Sequence, residues 1–128
     1  MTRHLSAVTF FVDDYDRAIA YFTTVLGFKL TEYKVTGEDS RFVLVTPPHG
    51  EMSLLLSVPK DEHARSLIGK QAADKVFIIL QTDDFFRDHA HMQRHNVEFL
   101  ESPREEPYGI VAIFKDCYGN KWDLIQAA

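Results

Sequence analysis

The chain has 128 residues, a formal charge of −5 at pH 7, and 45% hydrophobic against 26% charged residues. That length gives one domain able to bury a core without needing a metal or disulfide to fold. The acid excess argues against a broad nucleic-acid surface. No apolar run reaches the roughly 18 residues of a membrane span. The single cysteine leaves no internal disulfide, and no signal peptide follows Arg3 and His4, so a cytoplasmic protein is expected.

Taken in order, residues 5–12 are β-branched and aromatic and read as a mostly buried strand. Asp13 or Asp14 then caps a helix with Ala18, Ile19, Phe22 and Leu26 on its apolar stripe, and Gly27 stops it. Strands follow at 28–35, 41–46 and 52–58, separated by the turn 36–40 and by Pro47-Pro48-His49-Gly50. Residues 59–73 are charged and proline-led and suit either a linker or a short helical excursion. The second half has a strand at 75–82, a helix at 84–95 capped by Asp83 or Asp84, and a strand at 97–101. A long turn (102–108), a strand (109–115), the turn 116–120 and a strand (121–125) complete it.

The halves are one unit written twice. Residues 12–30 and 82–100 align without a gap at an offset of 70, with Asp13/Asp83, Asp14/Asp84, Arg17/Arg87, Ala20/Ala90 and Leu30/Leu100 identical. Such a repeat decides the architecture before any other signal. It predicts an α+β fold in which two βαβββ modules, 5–58 and 74–126, form a curled mixed sheet around a central cleft. The modules would be parts of a single domain spanning 1–128, with the cleft as the ligand site.

Two stretches resemble the vicinal oxygen chelate superfamily, which includes glyoxalase I, bleomycin-resistance proteins, fosfomycin-resistance proteins and extradiol dioxygenases. One runs from Val12-Asp13-Asp14-Tyr15-Asp16-Arg17 through Tyr21-Phe22 to Val25-Leu26-Gly27-Phe28. The other is Phe114-Lys115-Asp116-Cys117-Tyr118-Gly119-Asn120, which is similar to the family's F-x-D-P-x-G-N run with Cys117 in the proline position. The resemblance implies the fold over nearly the whole chain. It says little about the reaction, because one fold hosts many chemistries.

Enzymes of this superfamily commonly hold a divalent metal through four inward side chains, on the first and last strand of each module. Carried onto this chain, those positions are Ala7, Phe77, Asp123, and either Ser53 by the offset or Leu54 if Gly50 is matched to Gly119. Only Asp123 is a strong donor, whereas a divalent site normally needs three or more fitting ligands. The resemblance therefore implies a cleft lined by Ala7, Ser53, Phe77, Tyr108, Trp122 and Asp123, binding a small organic molecule with no cofactor. That is the pattern of the bleomycin-resistance branch. The alternatives are a metal-dependent lyase, isomerase or dioxygenase with a rearranged donor set (His4, His49 and Asp123 are the candidates) and a non-catalytic interaction domain. Catalysis by the family's standard metal chemistry is not expected, and the one candidate for a catalytic group is Asp123, which strand alternation sets opposite in facing to Trp122 and Leu124.

Several residues remain as further candidates. His91 and His95, four apart, share a helix face and form a possible surface metal grip, though a solvated face is the plainer reading. Arg41 and Arg104 are possible anion anchors. Cys117 has no histidine at a spacing that would make it a nucleophile. Family members are often homodimers, and uncovered strand edges favour association, so a homodimer is expected, with no nucleic-acid or membrane partner.

Overall fold

The computed structural model describes all of residues 1–128. The chain divides into two compact units, Met1–Ile68 and Gly69–Ala128. The first holds β1 (Ala7–Phe11), α1 (Tyr15–Ala20) running into a π-helical turn (Tyr21–Val25), β2 (Lys29–Gly37), β3 (Ser40–Thr46), β4 (Ser53–Ser57) and α2 (Glu62–Ser66). Its sheet has the order β1-β4-β3-β2, with β1 and β4 parallel and the other pairs antiparallel. The second holds β5 (Val76–Gln81), α3 (Phe85–Arg94), β6 (Glu98–Phe99), β7 (Arg104–Glu106), β8 (Gly109–Lys115) and β9 (Lys121–Ala127). Its order is β5-β9-β8-β6, with β5 parallel to β9 and with β7 also pairing with β8.

The α+β class and mixed sheets are as expected, but the curled sheet is corrected. The strands form two separately bonded open sheets, and neither path closes on itself. A run of four or five strands can stay open because the terminal strands need no partner within the sheet.

The repeated Asp-Asp-x-x-Arg performs the same task in both units. The second aspartate is the N-cap: Asp14 Oδ2 accepts from Arg17 N at 2.8 Å, and Asp84 Oδ1 from Arg87 N at 3.2 Å. Each cap contributes about 1 kcal/mol by satisfying an orphan amide. The first aspartate reaches the arginine four residues on, Asp13 to Arg17 at 2.7 Å and Asp83 to Arg87 at 2.8 Å. These exposed pairs add little.

The first helix departs from expectation by changing pitch before Gly27. Leu26 N donates to Tyr21 O at 3.2 Å, a five-residue closure, while Thr23 Oγ1 donates back to Ile19 O at 2.7 Å. Three β-branched residues in a row, Thr23-Thr24-Val25, crowd a regular turn, and Gly27 at φ 73° ends it.

The first helix with its π-helical turn, and α3, each cover one face of the sheet in their own unit. In the first unit Phe10, Val43, Val45, Leu54 and Leu56 are buried with Ala18, Phe22 and Phe28, and the Phe10 and Phe22 rings meet edge-on at 5.2 Å. In the second, Ala112, Phe114, Trp122 and Leu124 are buried with Phe85 and Met92. His89 lies against Phe85 and Phe99, and burial lowers its pKa.

Of the two readings for residues 59–73, the structure has the short helical one: α2 lies there, capped by Asp61 Oδ1 on Ala64 N at 2.8 Å. One segment differs from the sequence expectation. Residues 102–108 are not one long turn: Arg104–Glu106 pair with β8. A run reading Arg-Glu-Glu lacks strand composition, yet charge is what a short edge strand carries to discourage further pairing.

The Phe114–Asn120 motif is structural. Buried Asp116 accepts from Tyr118 N (2.9 Å) and Asn120 N (3.0 Å) through Oδ1, and from Asn120 Nδ2 and Trp122 Nε1 (both 2.9 Å) through Oδ2. One carboxylate thus ties the β8–β9 turn to the core tryptophan. Gly69 crosses this turn so closely that a Cβ would stand 2.0 Å from Tyr118 O. Asp116→Ala orphans buried donors and is expected to lower the unfolding free energy by about 3 kcal/mol in urea titration. A loss under about 1 kcal/mol would show that the turn does not depend on the carboxylate.

Candidate functional site

The faces left uncovered by the helices carry the candidate residues. In the first unit β1 and β4 run in register, so Ala7 stands beside Ser53, Thr9 beside Leu55 and Phe11 beside Ser57. Since Phe10, Leu54 and Leu56 are buried on the helix side, alternation puts these three pairs on the open side. A row of hydroxyls crosses that face: Ser53 Oγ and Thr46 Oγ1 lie 2.7 Å apart, and Thr46 Oγ1 and Thr31 Oγ1 2.9 Å.

The register corrects one assignment. Val8 pairs with Leu54 and Thr9 with Leu55, while Ile78 pairs with Trp122 and Ile79 with Asp123. Thr9 and Ile79 are equivalent at the offset of 70, so the first-unit counterpart of Asp123 is Leu55, not Ser53 or Leu54. Ser53 stands two residues earlier and is engaged with Thr46. Phe77 lies at an irregularity in the β5–β9 ladder between Val76 and Ile78 and is half-buried.

The four positions at which the resemblance places metal donors therefore hold Ala7, Leu55, Phe77 and Asp123. Three of these side chains have no electron pair to give. No group of three or more His, Cys, Asp or Glu side chains that could hold a metal ion is found. These residues do not fit the divalent ion of the superfamily. His91 and His95 do share a helix face, with ring centroids 4.6 Å apart.

Asp123 is half-buried on the open face of the second sheet, between Ile79 on β5 and Ile113 on β8. Burial pushes its carboxyl above the ordinary aspartate range, the Arg104 charge pulls it back, and Glu101 adds to the rise. Arg104, opposite Val111 on β7, is not an idle anion anchor. Its Nε donates to Glu101 Oε1 and its Nη1 to Glu106 Oε1, both at 2.8 Å. Glu101, then the Tyr108 side chain, then Glu106 hold this guanidinium firmly protonated.

Glu101 also takes a backbone role that the sequence analysis did not assign to it. Between β6 and β7 the chain leaves β8, and the Ile113 amide would lack a partner; Glu101 Oε2 accepts from it at 3.0 Å. The Glu-x-x-Arg spacing of 101 and 104 was the available clue. The assembly can offer a ligand one semi-buried carboxylate, a fixed arginine and neighbouring isoleucines.

The other candidates fall elsewhere. Trp122 is corrected from wall to core: it is fully buried, stacked on Phe114 at 5.6 Å, with its Nε1 given to Asp116. Alternation with Asp123 required this. Tyr108 is exposed in the β7–β8 turn. His4 and His49 are exposed, the latter at φ 61° in the β3–β4 turn. Arg41 donates from Nε to Tyr33 Oη at 3.3 Å. Cys117 is an exposed turn residue. No helix is long and apolar enough to cross a membrane.

Comparison with known proteins agrees with this architecture. An uncharacterised protein of Shewanella frigidimarina is 41% identical over 98% of this chain and 95% of its own. The crystal structure of a Glyoxalase/bleomycin resistance protein/dioxygenase superfamily member from Sphaerobacter thermophilus superposes with a TM-score of 0.79 at 22% identity, covering 98% of both chains. TnmS3, described as an antibiotic binding protein from Streptomyces sp. CB03234, gives a TM-score of 0.77 at 25% identity over 99% of this chain and 98% of its own. The Glyoxalase/Bleomycin resistance protein/Dioxygenase superfamily model matches residues 4–124, and the chain belongs to that superfamily.

Proposed function

We propose that this chain binds a small organic molecule on its open sheet faces without the divalent ion common in its superfamily. The observation that carries the reading is the donor set: Ala7, Leu55 and Phe77 stand where ligating side chains would be needed. The same substitutions leave apolar surface in place of charge. Ile79 is 68% exposed beside Asp123, and Leu55 and Ile113 are half-buried. Covering roughly 300 Å² of such surface contributes about 7 kcal/mol before the costs of association, so burial alone gives affinity weaker than micromolar and polar contacts must supply the rest. Asp123 and Arg104 would orient polar groups of the ligand. The description of TnmS3 as an antibiotic binding protein, at 25% identity across nearly the whole chain, supports the same class of activity.

A thermal-shift screen of small aromatic and polycyclic compounds, run with and without EDTA, tests this. Hits are expected to raise Tm equally in both conditions, and Ile79→Glu is expected to weaken them at least about tenfold, the equivalent of 1.4 kcal/mol. Stabilisation that vanishes with EDTA would contradict the reading.

Asp123 provides a second test. An acid whose folded pKa exceeds its unfolded value favours folding fully below pH about 4, and that contribution is lost as pH rises through the folded value. Asp123→Asn removes the dependence. The stability of the parent minus that of the variant should therefore fall as pH climbs from about 4 toward neutrality. A difference that stays flat or rises would show that the carboxyl is not held in a desolvated place.

A further inference from the structure

We propose that β2 pairs antiparallel with β2 of a second copy of this chain about a two-fold axis through Tyr33, joining two four-stranded sheets edge to edge. β2 is nine residues long, ends its sheet, and is exposed at every position except half-buried Glu32. Its apolar side chains are unusually open: Leu30 is 42%, Tyr33 46% and Val35 63% exposed. A long edge of this kind offers unpaired amides and carbonyls to another strand unless charge or irregularity blocks it.

The charges on β2 do block most partners, but they complement the strand itself. Its ladder with β3 is irregular between Leu30 and Glu32 and between Val35 and Gly37, leaving Glu32–Val35 as the regular stretch. On that stretch Glu32 and Lys34 point to the same face, with Nζ to Oε1 at 3.9 Å. In an antiparallel pair centred on Tyr33, Glu32 faces the partner's Lys34 and Lys34 faces the partner's Glu32. Centring the pair one residue earlier sets Glu32 against its own copy; one residue later does the same for Lys34; a parallel pair in register opposes like charges at both. Directly opposed like charges destabilise a sheet pair and opposite ones stabilise it, so among these four arrangements electrostatics favour the antiparallel pair centred on Tyr33. On the other face the two Tyr33 rings become neighbours, and Arg41 already holds the Tyr33 hydroxyl through its Nε at 3.3 Å. The isologous arrangement closes as a dimer rather than growing into a fibre.

Sedimentation velocity over a concentration series tests the proposal. A strand-edge interface is small, so the parent is expected to dimerise with a dissociation constant in roughly the tens of micromolar. Lys34→Glu alone and Glu32→Lys alone each bring like charges face to face, and each should weaken self-association at least about tenfold. Mixing the two single variants should restore dimers, since one then presents two lysines to the other's two glutamates. The Glu32→Lys/Lys34→Glu double variant should self-associate like the parent, which also shows that the exposed substitutions leave the fold intact. A parent that stays monomeric throughout, as it would if the edge served a different protein, overturns the proposal. So do single variants that associate as the parent does, or a mixture that fails to associate.

Discussion

One helix covers one face of a four- or five-stranded sheet and no more. That constraint shapes everything else in this chain. On the helix side, side chains such as Phe10, Leu56, Phe114 and Trp122 are fully buried. On the other side the strands must present residues that tolerate partial exposure and still have something to do. The hydroxyl row of Ser53, Thr46 and Thr31, and the Asp123–Arg104–Glu101 group, occupy those faces. At the four positions where the resemblance places metal donors, this chain has Ala7, Leu55, Phe77 and Asp123, of which only Asp123 is a donor.

The repeat was readable because its residues act locally. Asp14 and Asp84 cap the helix that starts at the next residue, and Asp13 and Asp83 reach the arginine one turn on. None of this depends on distant parts of the chain, so the pattern survives as plain sequence. The Asp116 turn was equally visible, and the structure supplies its reason: four donors converge on one carboxylate. Family motifs of this kind report folding rather than reaction, since every contact of Asp116 is internal to its own hairpin and Trp122.

What the sequence concealed lies in long-range register. The offset between the units is 70 through the first strand, helix and second strand, but Leu55 and Asp123, equivalent by their strand partners, differ by 68. Two residues are dropped in the segments between, and a fixed offset therefore selected Ser53. The pairing of Arg104–Glu106 with β8 was hidden for a related reason, because its composition reflects an edge strand's exposure and not its ladder. Trp122 was recoverable: alternation beside Asp123 assigns it to the helix side, and a large aromatic in a family motif drew it wrongly toward the ligand.

Ala7, Leu55 and Phe77 beside a lone Asp123 lack the donors a divalent ion requires. Elemental analysis of the protein after equilibration with Zn²⁺, Mn²⁺, Fe²⁺ and Ni²⁺ and removal of loosely held metal tests this most directly. The structure predicts far less than one ion per chain for every metal, and no change when Asp123 becomes Asn. One firmly retained ion per chain, lost in the Asp123→Asn protein, would contradict it.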